Sequence, residues 1–232
     1  MGWELRLFLR PTNLTSMPWV HTSLGNQRVE ERRDEYSVLD EDAGLKLRGG
    51  GGLELKICTE RDDAGFEKWK KHHVRSEGEA LELAKRAHPS TGVPAELKRV
   101  IVIKRRSQAA LGWSCVIEQT FLQVAFEGGA EELWLTLALE GERAACADEL
   151  PKMQAWAAQM AGSSAVFSGG YPGFLAWWAV HADAARELKE AQERLVAQRP
   201  PSLVSQDGEA APHLPRLQRH SVAHRPDASV LD

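Results

Sequence analysis

The sequence lacks several patterns that identify common classes of protein. No stretch approaches the roughly 18 apolar residues of a membrane-spanning helix, so we expect no membrane partner. Residues 1–10, MGWELRLFLR, lack the basic segment and apolar block of a secretory signal. Only three cysteines are present, Cys58, Cys115 and Cys146, and this odd, scattered set favours buried thiols in a reducing compartment over a disulfide framework. We therefore expect a cytoplasmic protein.

Several signatures of known chemistry are also missing. The four glycines at 49–52 lack the Gly-Lys-Ser/Thr ending of a phosphate-binding P-loop, and no helical pattern follows them. No Cys/His spacing indicates zinc, and no Ser-His-Asp or Cys-His arrangement is visible. The formal net charge of −4 argues against a nucleic-acid partner. Any anion site must therefore come from local clustering of cations.

Alternation of apolar and polar residues predicts that most of the chain forms half-buried, largely antiparallel strands. Helical patterns are fewer and predict helices at 76–88, from about Asp148, and at 183–198. This order of elements is typical of an α+β fold, and about eight strands with flanking helices can close into a barrel, or tunnel, without exposed edges. The alternating segments are 3–10, 35–39, 44–48, 53–57, 99–106, 114–126 and 133–140.

The chain divides by composition into three parts. We predict a barrel domain at 1–182, a C-terminal helix at 183–198 and a flexible tail at 199–232, where periodicity is lost and proline, serine and histidine recur. The helix could dock on the barrel or mediate dimerisation, and the sequence leaves the oligomeric state open.

Charged side chains share one face of the predicted strands, because residues two apart point the same way. Either these faces are solvated, giving a structural barrel, or helices cover the apolar faces and the charged faces point inward. An inward arrangement requires water, carboxylates and a multiply charged anionic ligand, since unpaired cations are unstable in a low-dielectric interior. The cations are Arg6, Lys46, Arg48, Lys56, Lys104 and Arg106, with Arg33 at the start of a further candidate strand.

The carboxylates on these faces have two possible roles. They are hard oxygen ligands that could hold Mg²⁺ or Mn²⁺ beside a phosphate chain. Alternatively, they neutralise the neighbouring cations. The residues concerned are Glu4, Glu54, Glu118 and Glu140.

The glycine run sets the register of a predicted hairpin. For Lys46 and Arg48 to share a face with Glu54 and Lys56, the loop must be odd in length or contain a bulge. A three-residue turn with a left-handed glycine sets Lys46 opposite Glu54, a favourable pair. A five-residue loop sets Lys46 opposite Lys56, which is tolerable only with a bound anion.

These segments resemble the CYTH superfamily, the triphosphate tunnel metalloenzymes, over residues 3 to about 178. WELRLF is similar to the family's opening Glu-x-Glu-x-Lys strand, LKLR and LELK to its paired cationic strands, and VIVIKRRS to its Lys-x-Arg strand. CVIEQT and LALEGE resemble its late acidic strands, and SGGYPGFL its Ser-x-Tyr-Pro element. The chain departs from the pattern at Gly2, where an acid is expected, at Arg6, which replaces Lys, and at Thr136 and Ala138, where acids are frequent.

The resemblance implies a cation-lined tunnel that binds a triphosphate and acts on it with Mg²⁺ or Mn²⁺. The cations above would bind the phosphates, the four carboxylates would serve the metal or water, and Glu54 and Lys56 would be required for catalysis. Our leading hypothesis is therefore metal-dependent hydrolysis of a triphosphate-containing compound: inorganic tripolyphosphate, thiamine triphosphate or a nucleoside triphosphate. The alternative is a non-catalytic polyphosphate- or nucleotide-binding protein that has lost part of its metal site.

Overall fold

The computed structural model describes residues 2–11, 29–49, 51–89, 97–161 and 166–197. Within these ranges the chain forms nine strands and three helices. The strands are β1 (Trp3–Leu9), β2 (Val29–Val38), β3 (Ala43–Arg48), β4 (Leu53–Arg61), β5 (Glu67–Val74), β6 (Lys98–Leu111), β7 (Cys115–Phe126), β8 (Glu132–Gly141) and β9 (Val166–Ser168). The helices are α1 (Glu77–Ala87), α2 (Arg143–Ala161) and α3 (Tyr171–Ala197). The predicted tail at 199–232 lies outside the described residues.

Eight antiparallel strands close into a barrel. The strands pair in the order β1, β5, β4, β3, β2, β6, β7 and β8, and β8 pairs with β1. The closing pairing of β1 with β5 is short, comprising Trp3 with Lys68 and Glu4 with Glu67. Farther along β1, β9 pairs with residues Leu7 to Leu9. The predicted α+β fold, an eight-stranded antiparallel barrel with flanking helices, is confirmed.

The outer face of the barrel carries the leucine side of the alternating strands. Leu5 and Leu137 pack with Met153 of α2 in one buried cluster. Leu45 and Leu55 of β3 and β4 form another cluster with α1. Helices therefore cover these apolar faces, and the charged faces of the same strands point into the barrel.

The barrel interior is apolar at one end and charged at the other. On β1, Arg6 is followed on the same face by Phe8, which stacks on Phe174 of α3 with ring centroids 3.9 Å apart. Trp134 also lies against Phe174, at 5.0 Å. The side chains of the apolar end are Phe8, Val100, Val102, Leu122, Val124 and Trp134, packed with Phe174, Leu175 and Trp178 of α3. The first turns of α3 thus fill one end of the interior.

The start of α3 lies close to the barrel wall. A Cβ atom at Gly44 of β3 would lie only 2.7 Å from the Cγ atom of Pro172. Glycine at this position therefore permits the helix to approach the strand, because it has no side chain to collide with the proline ring.

None of the described helices is both long and apolar enough to cross a membrane.

The predicted helices are present with different limits. Ser76 caps α1, and its hydroxyl accepts a hydrogen bond from the backbone N–H of Glu79 at 3.2 Å. The predicted start of the second helix at Asp148 is wrong, since α2 begins at Arg143 and contains Pro151. Residues 183–197 of the helix predicted at 183–198 form the C-terminal part of α3, which begins at Tyr171, and residue 198 lies outside the described residues.

Two strands have no counterpart in the sequence prediction. β5, EKWKKHHV, carries charged or polar residues on both faces, so its hydropathy does not alternate. β9 has only three residues, too few to show a period. β2 begins at Val29 rather than near Arg33, because its first residues are charged on both faces as well.

The register of the glycine hairpin matches the three-residue prediction. Lys46 lies opposite Glu54, and Leu47 lies opposite Leu53. The backbone N–H of Gly51 donates to the carbonyl of Arg48 at 2.7 Å and closes the turn. The described glycines of the turn, at 49, 51 and 52, have no left-handed φ, and position 50 lies outside the described residues.

We predict that the packing of α3 into the apolar end is a major contributor to stability. Phe174→Ala removes a fully buried ring and should lower the free energy of unfolding by about 3–5 kcal/mol, measured by urea titration. Leu188→Ala on the same helix is the control. Its side chain is 72% exposed, so the expected change is within about 0.5 kcal/mol. Equal effects of the two substitutions would contradict the proposed packing.

Candidate functional site

The charged end of the barrel contains a cavity of about 410 Å³. Eight cations and three carboxylates line it, together with four aromatic side chains. The cations are Arg6, Arg32, Lys46, Arg48, Lys56, Lys71, Lys104 and Arg106, the carboxylates Glu4, Glu118 and Glu140, and the aromatic residues Trp3, Tyr36, Trp69 and Tyr171. Positive charge therefore exceeds negative charge in the lining, although the chain as a whole is acidic.

The structure brings most of the sequence-predicted site residues together. Six of the seven predicted phosphate-binding cations line the cavity, as do three of the four predicted metal-binding carboxylates. Glu54 is the exception among the carboxylates. It does not line the cavity, and its Oε1 atom lies 2.7 Å from the Nζ atom of Lys46. Burial by itself would raise the pKa of Glu54, but the hydrogen bond and charge of Lys46 lower it.

Arg33, the seventh predicted phosphate-binding cation, does not line the cavity. The Arg33 side chain is 56% exposed and forms an ion pair with Glu35 on the outer face of β2. Its neighbour Arg32 lines the cavity instead, because successive strand residues point to opposite faces. Asp34 and Tyr36 face inward. Because every second residue of a strand points the same way, counting back from either of them identifies Arg32 as an inward-facing side chain.

Arg6 occupies the centre of the carboxylate cluster. Its Nε atom donates to Glu4 at 2.9 Å, and its two terminal nitrogens donate to Glu118 at 2.7 Å and Glu140 at 3.0 Å. One terminal nitrogen also donates to the Thr136 hydroxyl at 3.0 Å. The Arg6 side chain is 3% exposed. One guanidinium group therefore joins β1, β7 and β8 through charge-assisted hydrogen bonds.

The three carboxylates around Arg6 differ in their affinity for protons. Burial would raise the pKa of Glu4 and Glu118, but the charges of Lys56 and Arg6 lower that of Glu4, and Arg6 lowers that of Glu118. Glu140 has its pKa raised, first by burial and then by the charge of Glu4. Its side chain is also the most exposed of the three, at 38%. Glu140 is therefore the cavity carboxylate best suited to accept a proton.

A second buried group of charges surrounds Lys104. Its Nζ atom donates to the Tyr36 hydroxyl at 2.7 Å and lies 3.0 Å from Oδ2 of Asp34. The same atom lies 3.6 Å from the ring centroid of Tyr171. Burial lowers the pKa of Lys104 despite the opposing charge of Asp34. Sequence reasoning missed Asp34, which precedes the alternating segment 35–39. It also missed Tyr36 and Tyr171, because it selected only charged side chains as site residues.

Two lysines face one another across neighbouring strands of the cavity wall. Lys56 of β4 lies directly opposite Lys71 of β5, and like charges in this position repel each other. Lys56 is 2.9 Å from Oε2 of Glu4. Among the described residues, neither Lys71 nor Arg48 forms an ion pair, and both side chains belong to exposed residues of the lining. These two cations are positioned to attract an anion.

In this structure the carboxylate side chains are not arranged to coordinate a metal ion. In the described part of the chain, no group of three or more His, Cys, Asp or Glu residues is arranged to hold a metal ion. Glu4, Glu118 and Glu140 each accept from Arg6, and Glu54 is paired with Lys46. The donor set suits Mg²⁺ or Mn²⁺ chemically, but its oxygens are directed at cationic side chains.

No model of a known protein family matches this sequence, and no curated protein is similar enough to be identified as a relative.

We predict that acid destabilises the protein through the carboxylates that are paired with cations inside the barrel. The pKa of Glu4, Glu54, Glu118 and Asp34 is lower in the folded chain than the value of about 4 expected on unfolding. The stability that they contribute is therefore complete above about pH 4 to 5 and is lost as the pH falls through the folded-state pKa values. Glu140, with its raised pKa, contributes with the opposite sign but is a single group.

Urea unfolding at a series of pH values checks this expectation. Glu118→Gln should reduce the pH dependence and should also cost about 3–5 kcal/mol, because it leaves the buried Arg6 and the partly buried Arg106 without this carboxylate. Glu82→Gln on α1 is the control, since that side chain is 64% exposed. A free energy of unfolding that stays constant between about pH 6 and pH 3 would contradict the expectation.

Proposed function

We propose that this protein binds a multiply charged phosphate-chain anion, such as inorganic tripolyphosphate or the triphosphate of a larger compound, in the cavity of the barrel. The observation that carries the proposal is the excess of cations over carboxylates in the lining, eight against three. A surplus of positive charge in a cavity is stabilised when an anion supplies the missing countercharge. The cavity volume of about 410 Å³ is typical of small-molecule sites.

The cations of the cavity divide into two groups by burial. Arg6 and Lys104 are almost fully buried and are held by carboxylates of the barrel. Arg48 and Lys71 are exposed and make no ion pair within the described residues. The first group supports the walls and sets the local potential, whereas the second is available to contact a ligand directly.

The lysine pair of β4 and β5 favours a ligand with more than one charged group. Lys56 and Lys71 lie on adjacent strands in register, and Arg48 lies on β3, the strand that also pairs with β4. A chain of phosphates presents oxygens at intervals and can contact several such cations at once. A single phosphate can contact fewer of them, so the proposal predicts that affinity increases with chain length.

Metal-dependent hydrolysis of the bound anion is the second candidate function, and the position of Glu140 favours it. Its carboxylate is partly exposed within the cavity and has a raised pKa, which are properties of a group that accepts a proton from water. Lys56 also lines the cavity, where it could contact a phosphoryl oxygen. The role predicted for Glu54 has less support, because Lys46 holds that carboxylate outside the lining.

Calorimetric titration with tripolyphosphate, pyrophosphate and phosphate tests the binding proposal. We expect the affinity to decrease in that order and to weaken with added salt. Lys71→Ala and Arg48→Ala should each weaken tripolyphosphate binding by about tenfold or more, since each removes a charge-assisted contact. Arg33→Ala is the matched control, because Arg33 is on the outer face. No binding at low salt, or an equal effect of Arg33→Ala, would contradict the proposal.

Phosphate release decides between the two candidates. The same anions, with thiamine triphosphate and ATP, are incubated with and without Mg²⁺ or Mn²⁺. Metal-dependent release that is lost in Glu140→Gln and Lys56→Ala would establish hydrolysis, and the Glu54→Gln variant tests the role predicted for that residue. Binding without release under all of these conditions identifies a non-catalytic binding protein.

A further inference from the structure

The guanidinium of Arg6 contacts three of the four carboxylates that the resemblance assigns to a metal, those of Glu4, Glu118 and Glu140. These three residues have six carboxylate oxygens, and side-chain donors contact five of them within the described residues. Arg6 and Lys56 contact the two oxygens of Glu4. Arg6 and Thr120 contact one oxygen of Glu118, while Arg106 and Gln108 contact the other. Arg6 contacts Oε1 of Glu140, which leaves Oε2 as the oxygen without such a donor.

The charges of this cluster are already balanced by side chains. Glu4, Glu118 and Glu140 supply three negative charges, and Arg6, Lys56 and Arg106 supply three positive charges. Arg106 also pairs with Glu30, and Arg32 is a second partner of that carboxylate. A divalent cation would have to displace Arg6 from its buried position. The guanidinium would then lose its hydrogen bonds to the carboxylates. It would also have to be bound by several oxygens at once, whereas these oxygens point to different nitrogens of one planar group.

We propose that Arg6 acts as a built-in cation that replaces a divalent metal at the centre of the Glu4, Glu118 and Glu140 cluster. An arginine suits this position better than a lysine, because its planar fork presents donors in several fixed directions. Lysine, which the resemblance expects here, would present a point charge and leave some of the carboxylate oxygens available. The inference concerns the charge balance of the barrel itself and holds whether or not a phosphate chain binds.

Mn²⁺ titration in the absence of any phosphate anion tests this inference. Wild-type protein should bind no Mn²⁺ at the cluster, so the electron paramagnetic resonance signal of free Mn²⁺ should be undiminished. Its Tm should also be equal in EDTA and in millimolar Mn²⁺. Stoichiometric binding of Mn²⁺ by the wild type that is lost in Glu140→Gln would overturn the inference.

Removal of Arg6 should convert the cluster into a metal site. Arg6→Ala is expected to have a lower Tm than the wild type in EDTA and to regain several degrees in Mn²⁺ as the metal replaces the lost charge. The double variant Arg6→Ala with Glu140→Gln should lose most of this recovery, and Arg33→Ala should show neither effect. If Arg6→Ala does not fold, Arg6→Lys takes its place, with a smaller expected recovery. A folded Arg6 variant that gains no Tm in Mn²⁺ would also overturn the inference.

Discussion

The structure depends on the neutralisation of charges that the strands place inside a barrel. Arg6 is the main instance, because its buried guanidinium donates hydrogen bonds to carboxylates of β1, β7 and β8. Lys104 with Asp34, and Lys46 with Glu54, repeat the arrangement on β6 with β2 and on β3 with β4. Breaking such a pair leaves an uncompensated buried charge and is costly. The pairs therefore constrain the relative positions of the strands as well as the properties of the cavity.

The second constraint is the change from charged to apolar residues along the inner faces of the strands. Arg6 is followed by Phe8 on β1, and Glu118 is followed by Leu122 on β7. The apolar end requires a covering of similar character, which the aromatic start of α3 provides. The charged end remains an open cavity, because its side chains repel one another or require solvent and counterions. The location of the candidate site thus follows from where each inner face changes character.

Sequence reasoning was most successful where hydropathy alternates. The separation of apolar from charged residues on the two faces of β1, β3, β4 and β6 to β8 was predicted because their hydropathy alternates. The method failed at β5, which is polar on both faces, and therefore missed Lys71 and Trp69. It also selected Arg33 rather than Arg32, since β2 carries charged residues on both sides near its start. A period of two in hydropathy identifies the two faces of a strand only when one face is apolar and the other is polar.

The sequence by itself determined the strand pattern, the division of the strands into apolar and charged faces, and the odd loop that the glycine hairpin needs for its charged faces to coincide. These features follow from local rules, since neighbouring side chains on a strand point to opposite faces. Only the tertiary structure decided that the charged faces point inward, and it placed three glutamates, Glu4, Glu118 and Glu140, on Arg6. Two of these contacts, from Arg6 to Glu118 and to Glu140, join residues 112 and 134 positions apart. They depend on barrel closure, which no local pattern encodes.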